Sequence, residues 1–173
     1  QDSMANDALL ERQKYRCAGC GEALKKNFLA LSGARGSFAP CRHHGGLFCK
    51  RWCHAGTFAA IPNRILRDLD TGASRVCEQS RDFLVSIMDK PIIDLSKQSS
   101  TLVERTQILC FTREKRRQLI ALLQRLDETK DGLLQQHLEA TLSQSVGLHR
   151  TYLCASESLY SLHDLLSIRD GEL

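Results

Sequence analysis

Five of the chain's eight cysteines fall between Cys17 and Cys53, in company with His43, His44 and His54, and this clustering constrains the fold more than any other feature. Cys17-Ala18-Gly19-Cys20-Gly21 reads as a knuckle. Its two-residue spacing lets both sulfurs reach one metal, and the glycines free the backbone to turn and to point amides at the thiolates. One knuckle supplies half of a tetrahedral site. Cys49, after the apolar pair Leu47-Phe48, and Cys53 or His54 supply the other half. Thiolate-rich tetrahedral sets suit Zn2+, and no redox motif or open coordination position is evident. A closed four-ligand site leaves no place for a reacting water, so it contributes folding energy rather than catalysis, and the chain reads as a non-enzyme. Cys41, His43, His44 and whichever of Cys53 and His54 is left over can complete a second, interleaved site, as in cross-braced fingers. The alternative is that the two adjacent histidines are solvated loop residues.

A secreted disulfide scaffold is the competing reading of so many cysteines. The start of the sequence lacks the charged and apolar regions of a signal peptide, and Cys77, Cys110 and Cys154 stand singly among helical segments. Isolated thiols of that kind usually serve as small buried apolar side chains. Both features point to a reducing, cytoplasmic setting. There is no run of about 18 apolar residues to span a membrane. The formal net charge of +4 is far milder than that of most nucleic-acid-binding domains, so no nucleic-acid partner is expected. Aromatic residues make up only 6% and prolines number three, which argues against both a β-sandwich and a disordered tail.

Residues 1–14 read as a tag or domain-edge segment, 15–55 as the zinc-binding module and 56–173 as a helical region, together one domain. Ser74 is positioned to cap a helix carrying Val76, Phe83, Leu84, Ile87 and Met88, which Pro91 ends. A longer helix starts near Ser99 or Ser100, with Leu102, Leu109, Leu119, Leu122, Leu123 and Leu126 forming one buried stripe. Leu134, Leu138 and Leu142 mark a third helix. Ser161 and Asp164 make a capping-box start for a last one, which Gly171 closes. The expected fold is mainly α, a helical bundle with a small N-terminal zinc-binding knuckle module.

The knuckle at 17–21 resembles the start of the Rubicon homology domain, a family found in autophagy and lysosome-positioning proteins. The resemblance continues through Cys41 with Gly45-Gly46-Leu47-Phe48-Cys49, Cys53-His54, Ile61-Pro62-Asn63-Arg64-Ile65-Leu66 and Asp70. It ends with Pro91-Ile92-Ile93-Asp94-Leu95 and Leu159-Tyr160-Ser161-Leu162-His163-Asp164-Leu165, in the family's order. The family's cysteine spacing is usually tighter than Cys49-Lys50-Arg51-Trp52-Cys53, and a Trp-Asp pair stands where this chain has Leu69-Asp70. Members continue into a second cysteine- and histidine-rich region beyond the part matched by this sequence. The resemblance implies an interaction module that associates with a GTP-loaded Rab GTPase of late endosomes and lysosomes, in autophagosome maturation or endocytic transport. Some members also contact phosphoinositides. It further implies peripheral association with late endosome, lysosome or autophagosome membranes.

Lys25, Lys26, Arg42, Lys50 and Arg51 surround the zinc module as basic residues surround lipid-binding fingers, and Arg42-His43 supplies an adjacent Arg and His. Arg113, Lys115, Arg116 and Arg117 are expected to form a solvated helix face, with attraction to anionic lipid or an acidic partner as the alternative. Trp52 and Phe58 are expected to pack the zinc module against the helices. His137, His149 and His163 read as polar helix positions, and Asp68 with Asp70 as an acidic helix end. Three functions fit these features: a Rab-effector domain, implied by the resemblance, a phosphoinositide-membrane reader using the basic face, and a RING-like ubiquitin ligase finger. The full cross-braced ligand set of the last is not visible.

Overall fold

Short extended segments alternate with amphipathic stretches, so the chain builds six α-helices and three two-stranded antiparallel sheets among its described residues. The computed structural model describes residues 2–25, 37–97, 103–104, 106–129 and 132–171. The elements are α1 (Asp2–Arg12), β1 (Phe38–Pro40), β2 (Leu47–Cys49), β3 (Phe58–Ala59), α2 (Pro62–Asp68), β4 (Ser74–Arg75), α3 (Glu78–Ile87), β5 (Ile93–Asp94), α4 (Gln107–Thr129), α5 (Gly132–Val146), a 3-10 segment (Leu148–Cys154), β6 (Leu159–Tyr160) and α6 (Leu162–Asp170). The expected start of the long helix near Ser99 or Ser100, with Leu102, lies outside the described residues, as does Lys26. Residues up to Ile65 together with Asp70–Ser86 form one compact unit; Leu66–Leu69 with Ile87 onward form another.

In the first unit, β1 pairs with β2 in the register Phe38↔Cys49, Ala39↔Phe48 and Pro40↔Leu47, so pairing alone delivers Cys49 to a fixed place. The segment expected to be a tag or edge contributes α1, whose Leu10 is fully buried. The Gln13 side chain just beyond α1 accepts from Leu47 N–H at 2.8 Å and donates to Leu47 C=O at 3.1 Å, acting as a substitute strand partner. Ser74 does not cap a helix. Val76 N–H donates to Thr57 C=O at 3.0 Å, which keeps this stretch extended, and Ser74 lies in β4 opposite Ala59. The helix therefore begins at Glu78, four residues later. Arg64 donates to both Ser74 Oγ and the Asp70 carboxylate, which tethers the end of α2.

The second unit is organised by two buried polar side chains. Asp164 is fully buried and accepts from Tyr152 Oη at 2.5 Å, from Arg150 Nε and Nη2 at 3.0 and 2.5 Å, and from Ser161 N–H at 2.8 Å. Ser161 Oγ accepts from Asp164 N–H, completing the capping box, and Gly171 in the left-handed conformation ends α6. Burial alone would raise the Asp164 carboxyl. The hydrogen bonds from Tyr152, Ser161 N–H and Arg150 hold it below the ordinary carboxylate range instead. The expected basic face of α4 is not solvated throughout. Arg116 is buried, donates from Nε to Leu153 C=O at 3.1 Å and from Nη2 to Leu159 C=O at 2.9 Å, and stacks 4.3 Å from the Tyr160 ring. Arg113 pairs with Glu157 at 2.9 Å and Arg117 with Glu114 at 2.9 Å. The buried stripe of α4 runs through Leu109, Thr112 and Arg116, and Leu122, expected in it, is 57% exposed. Leu138 and Leu142 of α5 face Leu123 and Leu126 of α4 around a cavity of about 290 Å³.

Asp164→Ala strands the half-buried Arg150 guanidinium and the Ser161 N–H, and is expected to cost about 3 kcal/mol in denaturant unfolding at pH 7. Because the native carboxyl titrates below its unfolded value, its contribution is present above about pH 4 and is lost as pH falls through the native value. The gap between wild type and variant should therefore narrow in acid; a gap independent of pH would contradict this assignment.

Candidate metal centre

The Cys17 turn is shaped by three backbone hydrogen bonds. Cys17 N–H donates to Glu22 C=O at 2.8 Å, Gly21 N–H to Cys17 C=O at 3.0 Å, and Ala18 N–H to Leu47 C=O at 3.0 Å. Gly21 has φ +73°, which favours glycine. At Gly19 a Cβ would lie 3.0 Å from Cys53 Sγ and 3.3 Å from the Phe48 ring, so a side chain there would crowd the second cysteine pair. That pair comes from the end of β2 and the turn after it, where Cys53 N–H donates to Cys49 C=O at 3.2 Å. One helical turn accommodates the three-residue spacing, and both sulfurs remain on one side. Trp52 is carried outward at 66% exposure and Phe58 at 57%, so neither packs the module as expected.

The outcome is a cluster in which the sulfurs of Cys17, Cys20, Cys49 and Cys53 all lie within 4.8 Å of one another, with Cys20 and Cys49 at 3.6 Å. A disulfide needs about 2.05 Å. A tetrahedral zinc site has sulfurs about 2.3 Å from the ion and hence roughly 3.8 Å apart, a separation close to that found. Cys17 Sγ also accepts from Gly19 N–H at 3.4 Å and Cys49 N–H at 3.3 Å. Burial opposes ionisation of Cys17, but the N–H groups of Cys49, Cys20 and Gly19 outweigh it and bring the thiol down to about 7. Cys53 is pushed strongly up, first by burial and then by its three neighbouring thiols. Four sulfurs at this spacing cannot all ionise without a cation. The donor set thus fits Zn2+, with no position left for a reacting water.

The other sequence candidates are placed differently. His54 lies beside the cluster but does not join it: Cys53 fills the fourth position. The His54 ring is buried, its Nδ1 accepts weakly from Gly56 N–H at 3.4 Å, and Nε2 has no hydrogen-bond partner among the described residues. Cys41 and His43 converge instead on Ser80, together with Cys77. His44 donates its N–H to Cys41 Sγ at 3.3 Å and sets its ring edge-on to Phe48 at 5.1 Å. Burial, and then His44, lowers the His43 imidazole below its ordinary value. Of the basic candidates, Lys25, Arg42 and Arg51 are exposed, with Arg51 over the Trp52 ring at 4.9 Å. Lys50 lines a recess of about 460 Å³ with His54, Phe58 and Arg75. The sequence reading missed Cys77 and Arg75, since neither sits in a spaced motif. Cys110, expected to be buried, is exposed.

Residues 39–173 match the Rubicon Homology Domain, which takes in the second cysteine pair and everything after it. The chain belongs to the Rubicon homology domain family. It is 27% identical over 164 residues to human Pleckstrin homology domain-containing family M member 3, covering 95% of this chain and 20% of that protein. It is 27% identical over 171 residues to the Xenopus laevis protein of the same name, covering 99% and 21%. It is 29% identical over 162 residues to mouse Run domain Beclin-1-interacting and cysteine-rich domain-containing protein, covering 94% and 16%. The chain thus spans about a fifth of the length of these relatives. Within this Rubicon homology domain, the family-resembling segment Ile61–Leu66 buries Ile61 and Ile65, and its Arg64 makes the tether to Asp70.

Cys17→Ser removes the sulfur that two backbone amides address. It is expected to lower zinc content by one ion per chain and to abolish the cooperative melting of the first unit, since metal binding is part of its folding free energy. Unchanged zinc stoichiometry and an unchanged melting curve would contradict this.

Proposed function

We propose that this chain is a non-enzymatic interaction domain of the Rab-effector type, with a structural zinc ion held by Cys17, Cys20, Cys49 and Cys53. Its partner is a GTP-loaded Rab GTPase of late endosomes and lysosomes. Its setting is the cytoplasmic face of late endosome, lysosome or autophagosome membranes, in autophagosome maturation or endocytic transport. Membership of the Rubicon homology domain family carries this reading. The closed, four-sulfur character of the metal centre supports it, since such a site stabilises a scaffold and offers no reacting position. Leu122, Leu133 and Leu134 are exposed on α4 and α5 and offer helical surface of the kind that partner proteins use. No helix among the described residues is long and apolar enough to cross a membrane.

A second reading, recognition of an anionic phosphoinositide membrane, is favoured by one observation. Arg51 lies over the exposed Trp52 and Arg75 over the exposed Phe58 at 5.7 Å, which sets two cation–aromatic pairs on the zinc-bearing unit. A RING-like ubiquitin ligase finger has less support: among the described residues the cysteines gather into a single four-sulfur set.

The deciding experiment is capture of the chain by a panel of Rab GTPases, each loaded with GTP analogue or GDP, with bound zinc quantified alongside. GTP-dependent capture of a late-endosomal or lysosomal Rab is expected. No capture by any of them with zinc fully bound would sink the effector reading, and flotation with phosphoinositide liposomes then tests the second one.

A further inference from the structure

Two cations and one buried imidazole line a single recess of about 460 Å³ in the first unit. Lys50, His54 and Arg75 form its polar wall beside Phe58, and among the described residues no carboxylate lines it. Two of the small sheets and the turn between them supply these groups. Lys50 directly follows β2, and its N–H donates to Ser37 C=O at 2.9 Å. Arg75 lies in β4 opposite Phe58, with its guanidinium 5.7 Å from that ring. Arg42 N–H donates to Arg75 C=O at 3.0 Å, which ties the β1–β2 connection to β4. Lys50 also follows Cys49, and His54 follows Cys53, so seating the four sulfurs places the backbone of both residues.

His54 is the informative member. Its side chain is buried, at 3% exposure. Gly56, in the left-handed conformation at φ +83°, turns its N–H onto His54 Nδ1 at 3.4 Å. With Nδ1 accepting, the proton of the neutral ring sits on Nε2. That N–H has no partner among the described residues. A buried donor left unpaired is destabilising, and an acceptor from outside the chain removes the penalty. An unanswered N–H and two cations thus lack the same thing, an oxygen-rich anion.

We propose that this recess is a phosphomonoester site, in which His54 Nε2–H, Lys50 and Arg75 take the phosphate oxygens. A phosphomonoester carries a charge of about −1.5 to −2 and three acceptor oxygens. Two cations and one neutral donor match both the charge and the number of oxygens. A phosphodiester or a carboxylate brings a single negative charge and two free oxygens, which leaves one donor unanswered. The recess is larger than a bare phosphate requires, so there is room for the ring that bears it. This deepens the membrane reading above and rests on it for the lipid source of the phosphate; a soluble inositol phosphate has the same chemistry.

The test uses the zinc-loaded chain. Flotation compares phosphatidylcholine vesicles carrying phosphatidylinositol 3-phosphate with vesicles carrying phosphatidylserine at matched surface charge, and calorimetry measures binding of soluble inositol 1,3-bisphosphate. Preference for the phosphomonoester vesicles is expected, and Lys50→Ala and Arg75→Ala should each weaken that binding about tenfold. Neither side chain is buried, so zinc content should stay unchanged in both variants. Equal binding to the two kinds of vesicle, or undiminished binding in both variants, overturns the recess and leaves the membrane reading standing. Binding of the soluble compound without flotation supports the recess and overturns the lipid source. No binding in either arm overturns both.

Discussion

Four sulfurs held within 4.8 Å of one another place a heavy electrostatic demand on the chain around them. The local structure answers it with N–H groups aimed at Cys17, a glycine where a Cβ would crowd Cys53, and a β1–β2 register that fixes Cys49. Each of these features draws on a different stretch of sequence. The unit also buries Leu10, Leu47, Phe48, Ile65, Val76 and Leu84, and the converging cysteines add to that apolar core. Gln13 belongs to the same logic: its amide closes the open edge of Leu47, two residues before Cys49.

The second unit solves its organisation differently. Two polar side chains are taken out of water: Asp164 is met by Arg150, Tyr152 and the Ser161 cap, and Arg116 by three carbonyls, through Nε and Nη2, and by the Tyr160 ring. Such groups are destabilising when their bonds are lost, so they favour the arrangement of the segment between α5 and α6 that makes them. That segment is otherwise the 3-10 turn Leu148–Cys154 and the two-residue strand β6. The Rubicon homology domain thus pairs a sulfur-organised unit with a helical one pinned by buried charge.

Some of this was legible in the residues. The knuckle, the second cysteine pair, the 134–138–142 series and the Ser161–Asp164 capping box all express local rules, and each appears where its spacing places it. What escaped depends on tertiary context. Ser74 has the chemistry of a helix cap, but pairing with β3 keeps it extended. Arg116 reads as part of a basic face because its neighbours are basic, although its turn of α4 faces inward. Leu122 shares the stripe's residue type but falls off its face. Cys53 and His54 were equally good candidates by sequence, and the turn from Cys49 brings the Cys53 sulfur, rather than His54, into the cluster. Trp52 shows the same effect in reverse, since seating Cys53 in the cluster leaves its neighbour in solvent.

The sulfur cluster organises one unit, and the other rests on its own polar network. Hydrogen exchange with and without a tight zinc chelator separates these most directly. The predicted result is loss of amide protection at Cys17–Glu22 and Leu47–Cys53, with the capped helix Leu162–Asp170 retaining its own. Unchanged protection in the cysteine turns after complete removal of bound metal would contradict the central claim.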